Sequence, residues 1–505
     1  MAKKNKHKNT GRSSTPEMQD VQASSAVIAN PVAQGLDWGL LLNGRRYWVI
    51  LGLLTFVAAV IRFWTLSRFD SMVFDEVYFS QYAYNYLTDV TFFDAHPPLS
   101  KYIIGTGIWL YNLMPFTETY ELTQVELAEL SPTARRWVNA VTGTLLVPIA
   151  ARTVYALWPN RLASLVMAFL VCFEGLLIVE SRYGLNNIYI ATFGMSALYF
   201  LGKVTTAESH KKLYFLAACS AMLGLTYSIK WNGLGFSAVV WGACVLSYIL
   251  YLRSKYLGLD LTAKPLAVFK AIVKINPFLL IPILLVPGFV LYCLLWIPHI
   301  SMIPDYGFAE VHHQIFAYHG RVEADAHPYC SSWYGWPVMA RPMSYLFEKE
   351  VVDGVKMFTD VHLMGNPAII WLGAASVLLM LPVWDYHLQR ALRKGVIHSE
   401  LMFMSICIGG YAANFLPWAF VSRCLFYYHY IPASLFSLLA LAWVITHLLS
   451  GRPLLDLCKG WISRGLGIFI VSLILAAFIY WLPIYLGITT TADGFYQRMW
   501  FTSWI

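Results

Sequence analysis

About eleven stretches of this chain are almost wholly apolar and mostly long enough to cross a bilayer: near 47–66, 137–157, 162–179, 188–203, 213–229, 232–252, 277–297, 366–384, 400–418, 426–448 and 466–487. In hydrocarbon no water is available to bond backbone N–H and C=O groups, so runs of this length must close their hydrogen bonds as helices. The expected fold is an all-α polytopic membrane protein with about 11 transmembrane helices. Composition agrees, since 58% of the 505 residues are hydrophobic and only 13% charged, too few to clothe a soluble globule of this size.

The formal net charge of +8 raises the question of nucleic acid. The basic residues do not form a patch interleaved with stacking aromatics; they fall in short segments between apolar runs. Alternate loops carry Lys203, Lys211 and Lys212; Arg253, Lys255, Lys264, Lys270 and Lys274; Arg390, Arg393 and Lys394; and Arg452, Lys459 and Arg464. By contrast the loop after the first span holds nine acids (Asp70, Asp75, Glu76, Asp89, Asp94, Glu118, Glu121, Glu126, Glu129) against Arg68 and Lys101. The positive-inside bias therefore predicts a multi-pass cell-membrane protein with a cytoplasmic N-terminus. Residues 1–45, with Lys3, Lys4, Lys6, Lys8 and Arg12, read as a disordered basic cytoplasmic tail without a cleavable signal. Residues 46–505 form the membrane domain, with external loops at 67–136 and 298–365.

Eight cysteines are scattered, mostly in apolar runs, with no Cys-x-x-Cys pair, so neither a disulfide framework nor a zinc site is expected. Within the first external loop, Val77 to Leu87 and Pro98 to Leu113 have helical apolar spacing but are short for spanning. They are expected to lie along the outer surface.

The polar clusters sort to the outer face. Asp75 and Glu76 are neighbours, so on a helix their side chains diverge by roughly 100° and would do separate jobs. A carboxylate at a membrane edge can take a proton from a hydroxyl nucleophile; the alternative is a pair of solvated loop acids. Asp94-Ala95-His96-Pro97-Pro98 follows, where Pro suits a helix start and His96 is either a capping turn residue or part of a site. Arg135 and Arg136 open the second span from outside, where the positive-inside bias does not call for them. Bound anion and snorkelling to headgroups are the two readings, and Arg182 and Lys230 repeat the pattern on other outer turns.

In 298–365, Glu310, His312 and His313 lack the two-His i, i+4 spacing of a metal helix, and a surface helix is expected. The following cluster holds His327-Pro328-Tyr329-Cys330, Trp336-Pro337 and Arg341-Pro342. Its aromatics suit either a membrane-interface belt or a sugar-stacking platform.

Several of these residues carry a family resemblance. Phe74-Asp75-Glu76-Val77, Asp94-x-His96-Pro97-Pro98, Arg136 twelve residues before Pro148, Ser181-Arg182 and Ser228-x-Lys230-Trp231-x-Gly233 resemble the motifs of protein O-mannosyltransferases, multi-pass glycosyltransferases of the GT-C fold class. The motifs run over roughly residues 45 to 250. The second half, with His327-Pro328-Tyr329 and Tyr428-His429-Tyr430, is similar to the bacterial, actinobacterial-type branch. Two departures stand out: Asn187 occupies a position where eukaryotic members have Asp, and 298–365 is too short for their luminal β-trefoil domain.

The resemblance implies transfer of mannose, with inversion, from polyprenyl-phosphate-mannose to Ser or Thr of exported proteins on the outer face. Asp75 would be the general base and Glu76 would contact the acceptor. Arg136, Arg182 and Lys230 would bind the donor phosphate, Asp94 and His96 would orient the site, and His327, Trp336 and Arg423 are candidate sugar or acceptor contacts. No metal or other cofactor is expected, because fixed cations already meet the charge growing on the phosphate. Membrane lipids, the lipid-linked donor and secreted acceptor proteins are the implied partners; no residue speaks for or against contact with a translocation channel.

A secondary transporter is the rival from another class, but the charged residues cluster in outer loops, and no paired Gly/Pro-interrupted helices occur in matching halves. A transferase acting on envelope glycan or lipid would share fold and donor site, and is distinguished only by the Asp75-Glu76 and Asp94-x-His96-Pro97-Pro98 set. A membrane scaffold would not gather so many polar groups on one face.

Overall fold

The computed structural model describes residues 42–258, 271–321, 323, 327–451 and 460–505. The basic tail, apart from its last four residues, lies outside the described residues, as do Lys264, Lys270, Arg452 and Lys459 of the basic loops.

The helices are α1 (Gly44–Phe63), α2 (Glu76–Thr88), α3 (Leu99–Asn112), α4 (Pro132–Leu157), α5 (Arg161–Phe173), α6 (Gly175–Glu180), α7 (Asn187–Lys203), α8 (Ser209–Ile229), α9 (Leu234–Tyr256), α10 (Pro277–Met302) and α11 (Phe308–Arg321). Two strands, β1 (Met343–Val352) and β2 (Val355–Leu363), separate these from α12 (Pro367–Lys394), α13 (Leu401–Phe415), α14 (Ile431–Leu449) and α15 (Gly460–Leu486). A short β3 (Thr490–Thr491) and α16 (Ala492–Arg498) close the chain. Among the described residues nine helices are long and apolar enough to cross a membrane. Near the middle of the bundle lies α14, nearly all of whose residues are buried. Lipid-facing side chains such as Phe278, Phe289 and Phe469 leave α10 and α15 apolar on their outer sides.

Two of the expected spans are not long helices. The stretch 162–179 breaks at Glu174, which caps α6 by accepting the Leu176 N–H at 3.0 Å. The break admits close neighbours, because a Cβ on Gly175 would stand 2.4 Å from both the Met364 carbonyl oxygen and a Tyr485 ring carbon. The second, α7, has 17 residues. The two helices expected in the first external loop are present as α2 and α3.

The all-helical expectation needs correction in the segment 298–365. Its first part is helical, as α11, but Met343–Leu363 is an antiparallel hairpin whose Val352 and Val355 pair around a two-residue turn. Asp353 and Gly354 both have positive φ, +48° and +78°, the geometry that Asp-Gly favours because Gly has no Cβ to clash. That dipeptide was the available signal. The register shifts between Ser344 and Leu346, a bulge that leaves Tyr345 outside the ladder and turned toward α6.

A second correction concerns the cysteines. Cys330 and Cys424 form a disulfide with Cα atoms 5.1 Å apart. Their 94-residue separation carries no local spacing signal, so only the fold could bring them together. The cysteines within helices α5, α8, α9, α10 and α13 are free.

Candidate active site

The segment between α1 and α4 is folded against α4 by three buried charges, Glu76, Arg135 and Arg136. Arg136, entirely buried, donates from Nε to Glu76 Oε1 at 2.9 Å and from Nη2 to Oε2 at 2.8 Å. Its remaining N–H groups go to the carbonyls of Leu66 and Phe69, each at 2.8 Å, and Ser71 at 2.9 Å. Glu76 also accepts the N–H groups of Val73 at 3.0 Å and Gly184 at 3.1 Å. At Gly184 a Cβ would meet Ser80 Oγ at 2.5 Å, so any larger residue would have to turn that hydroxyl aside for this backbone to reach the carboxylate. Burial opposes ionisation of Glu76, but Arg136 and Arg135 outweigh it and hold its pKa below the usual carboxylate value.

This geometry corrects two expectations. The five guanidinium N–H groups of Arg136 are all committed to protein acceptors, leaving none for a phosphate. Glu76 has no exposed surface with which to touch an acceptor. Arg182 is committed in part: its Nη1 donates to the carbonyls of Ile61, Arg62 and Trp64 at 2.9, 3.2 and 2.8 Å, satisfying orphan carbonyls at the C-terminus of α1, while its buried Nε has no hydrogen-bond partner among the described residues.

Asp75 stands beside this knot and behaves differently. It precedes α2 at the N-cap position, yet its carboxylate makes no cap hydrogen bond. Burial pushes its pKa up to about 6, with Lys230 pulling it down and Asp94 pushing it further up. The preceding Phe74 has φ +53° and lies flat on the Tyr345 ring, centroids 4.5 Å apart. Tyr345 in turn donates to buried Glu180 Oε1 at 2.7 Å. The hairpin bulge thus braces the turn that presents Asp75.

Asp94 and His96 belong to a loop closed on itself by Lys101, whose Nζ donates to Asp94 Oδ2 at 2.5 Å and to the carbonyls of His96 and Pro97 at 3.0 and 2.6 Å. Asp94 Oδ1 accepts the His96 N–H at 3.2 Å. Burial, with Lys230 and Lys101 nearby, keeps the His96 ring well below its ordinary pKa and therefore neutral. Lys101 was legible only as a loop charge, since nothing in an i, i+7 spacing announces a buried clamp.

His96, Lys230, His319, Asn414, Trp418 and Arg423 contribute to the lining of one cavity of about 410 Å³ between α9 and α13. Lys230 sits in the break between α8 and α9, 4.8 Å above the Tyr428 ring. Burial and Arg423 lower its pKa to about 8, against the pull of Asp75, Glu180 and Asp94. Arg423 has a single long contact, to the Cys424 carbonyl at 3.4 Å. Between the same two helices a further cavity of about 230 Å³ is lined by small or apolar residues, among them Ala238, Gly242, Ser405 and Gly409. Two cations with little protein commitment therefore line this largely apolar cavity; Asp75 is not part of the lining and is linked to it as an electrostatic neighbour of Lys230.

The other candidates divide. Trp336 is a core residue, 1% exposed, with its N–H on Ser331 Oγ at 2.9 Å, and so offers no face to a sugar. His327 packs its ring against Phe426 and Tyr329 and is absent from the cavity wall. His312 bonds the Tyr292 hydroxyl at 2.6 Å within an aromatic cluster that also receives the Trp231 N–H. Among the described residues no three His, Cys, Asp or Glu side chains form a metal-ligating group.

The fold aligns with that of a solved structure of the S. cerevisiae protein O-mannosyltransferase Pmt1-Pmt2 complex bound to the sugar donor, at a TM-score of 0.73 and 16% identity, over 91% of this chain and 93% of that one. The fold is that of the GT-C class of membrane proteins. Residues 52–299 match the family model for dolichyl-phosphate-mannose-protein mannosyltransferase, and residues 306–504 that for the C-terminal four-transmembrane region of protein-O-mannosyltransferase. The chain belongs to the protein O-mannosyltransferase family. Its relatives include the polyprenol-phosphate-mannose–protein mannosyltransferases of Mycolicibacterium smegmatis (22% identical, covering 96% of this chain and 98% of that protein) and Mycobacterium tuberculosis (24%, covering 95% of each). The similarly named protein of Corynebacterium glutamicum is 22% identical over 81% of each chain.

Proposed function

We propose that this chain transfers mannose from polyprenyl-phosphate-mannose to Ser or Thr hydroxyls of exported proteins, at the outer face of the cell membrane. The acceptor hydroxyl gives its proton to Asp75 as its oxygen attacks the sugar carbon from the face opposite the phosphate. The carbon–phosphate oxygen bond breaks, the configuration inverts, and polyprenyl phosphate leaves with the bonding electron pair. Lys230 and Arg423 neutralise the charge arriving on that phosphate, an electrostatic contribution of the oxyanion-hole kind. The apolar crevice between α9 and α13 takes the first isoprene units, so the carrier enters sideways from the lipid.

One observation carries the assignment: the Asp75 carboxylate stands at the N-cap of α2 without bonding to the helix, within electrostatic influence of Lys230, where burial raises its pKa to about 6. Asp94 and His96 act through the Lys101-closed loop, as a wall and not as proton carriers.

The test is mannose incorporation into secreted protein by membranes carrying Asp75→Asn, together with donor binding. Transfer should fall by roughly 10²- to 10⁴-fold while donor binding persists. A wild-type rate in Asp75→Asn would make Asp75 a loop acid and overturn the mechanism.

A further inference from the structure

Lys230 and Arg423 flank the same cavity but are held there by different means. Lys230 is fixed by helix ends, its N–H on the Thr226 carbonyl at 3.3 Å and its carbonyl accepting the Gly233 N–H at 2.9 Å. Arg423 lies in the irregular turn between the 3₁₀ segment Leu416–Phe420 and the one that begins at Tyr427, with no helix or strand to fix it. What ties that turn down is the adjacent residue. Cys424 is bonded to Cys330, and its N–H donates to the Glu323 carbonyl at 3.0 Å. One residue on from Cys330, the Ser331 N–H donates to the Leu425 carbonyl at 2.7 Å, and Ser331 Oγ receives the N–H of buried Trp336 at 2.9 Å. Residues 323–336 are thus joined to the Arg423 turn by one covalent bond, two backbone hydrogen bonds and the packing of His327 on Phe426.

We propose that the Cys330–Cys424 disulfide is a positioning device for donor binding: it holds the backbone of Arg423 so that the guanidinium stays over the phosphate position. This rests on the reading above, in which Lys230 and Arg423 receive the phosphate. A charge-assisted contact needs its partners within about 2.7–2.9 Å, and a turn free to shift by more than that tolerance loses the contact for most of its conformers. Ahead of Arg423, Ser422 is exposed and Val421 only half-buried, whereas Cys424 and Leu425 behind it are buried, so the turn is anchored on the side that carries the disulfide. The disulfide also requires an oxidising compartment, which agrees with an outward-facing site.

The experiment uses the full-length protein in lipid. Donor KM and kcat are measured for wild type, Arg423→Ala, the Cys330→Ala/Cys424→Ala pair, and the triple variant. In addition, wild type is assayed before and after dithiothreitol, which reduces the two sulfurs to thiols as it is itself oxidised to its cyclic disulfide.

The expected result is a donor KM raised roughly tenfold to a hundredfold by Arg423→Ala. A rise approaching this should follow loss of the disulfide by either route, with little change in kcat and no further rise in the triple variant. Reoxidation should restore the KM of the reduced sample. Two results overturn the proposal: both cysteines labelling as free thiols in the untreated protein, or loss of the disulfide lowering melting temperature or active fraction at unchanged donor KM. If Arg423→Ala itself leaves donor KM unchanged with the disulfide intact, the phosphate reading fails instead.

Discussion

Glu76 and Arg136 form a two-armed ion pair, with contacts of 2.9 and 2.8 Å, in which neither side chain has any exposed surface. The pair fastens the backbone of the segment between α1 and α2 to the start of α4, and so fixes the turn on which Asp75 stands. Adjacent carboxylates have been given opposite tasks: Glu76 is consumed by the fold and Asp75 is left open to chemistry.

Truncating one partner of this pair leaves the other charge buried and uncompensated, which costs about 3–5 kcal/mol. Arg136→Ala and Glu76→Ala should therefore lower the melting temperature of the detergent-solubilised protein well below that of Asp75→Asn. Arg136→Lys should not restore it, because one ammonium cannot serve Glu76 and three carbonyls in the geometry of a planar fork. Equal melting temperatures for Arg136→Ala and Asp75→Asn would return Arg136 to the role of a free phosphate ligand.

The rate should depend on pH through Asp75 and Lys230. A base must be ionised, so activity rises as pH passes about 6, the value to which burial raises Asp75. Phosphate binding needs a charged Lys230, so it declines as pH passes about 8, the value to which burial and Arg423 lower that amine. The bell in kcat/KM should lose its acid limb in Asp75→Asn and its alkaline limb in Lys230→Arg. Because the Asp75 pKa is raised on folding, the unfolded chain holds fewer protons between about pH 4 and 6. Stability should accordingly fall as pH rises through that window.

Lys230→Ala removes a cation from the wall of the cavity while leaving the helix break that carries it. Donor KM should rise by roughly tenfold to a hundredfold, the worth of one hydrogen bond to a charged group. Competition by free polyprenyl phosphate should weaken in parallel. An unchanged affinity for that product would remove Lys230 from the site.

With two fixed cations on the leaving phosphate, transfer is expected to proceed without a divalent ion. Activity should survive a strong chelator in membranes washed free of metal. Loss of activity that a single divalent ion restores would refute this.

Much of the fold was legible because bilayer physics acts on sequence directly. A run such as 466–487 has to be a helix wherever it packs, and up to Leu486 it is one, in α15. Asp75 could be singled out in the same way, as a carboxylate in the outer loop next to a span. The hairpin was legible through Asp353-Gly354 but is outweighed, on composition, by the helical runs around it.

What the sequence by itself determined was the membrane class, the helices and the short set of charged residues from which a site could be built. What only tertiary structure decided was how those charges are spent. Arg136, Arg182 and Lys230 look alike on paper, as cations on outer turns. The first two are spent on Glu76 and on carbonyls left over at helix and loop ends; the third has no such acceptor and lines the cavity. The physical reason is that a buried hydrogen-bonding group seeks a partner, and for Arg182 the acceptors lie up to 121 residues away along the chain. The same holds for Cys330 and Cys424, which no spacing relates until the loops that carry them are folded against each other.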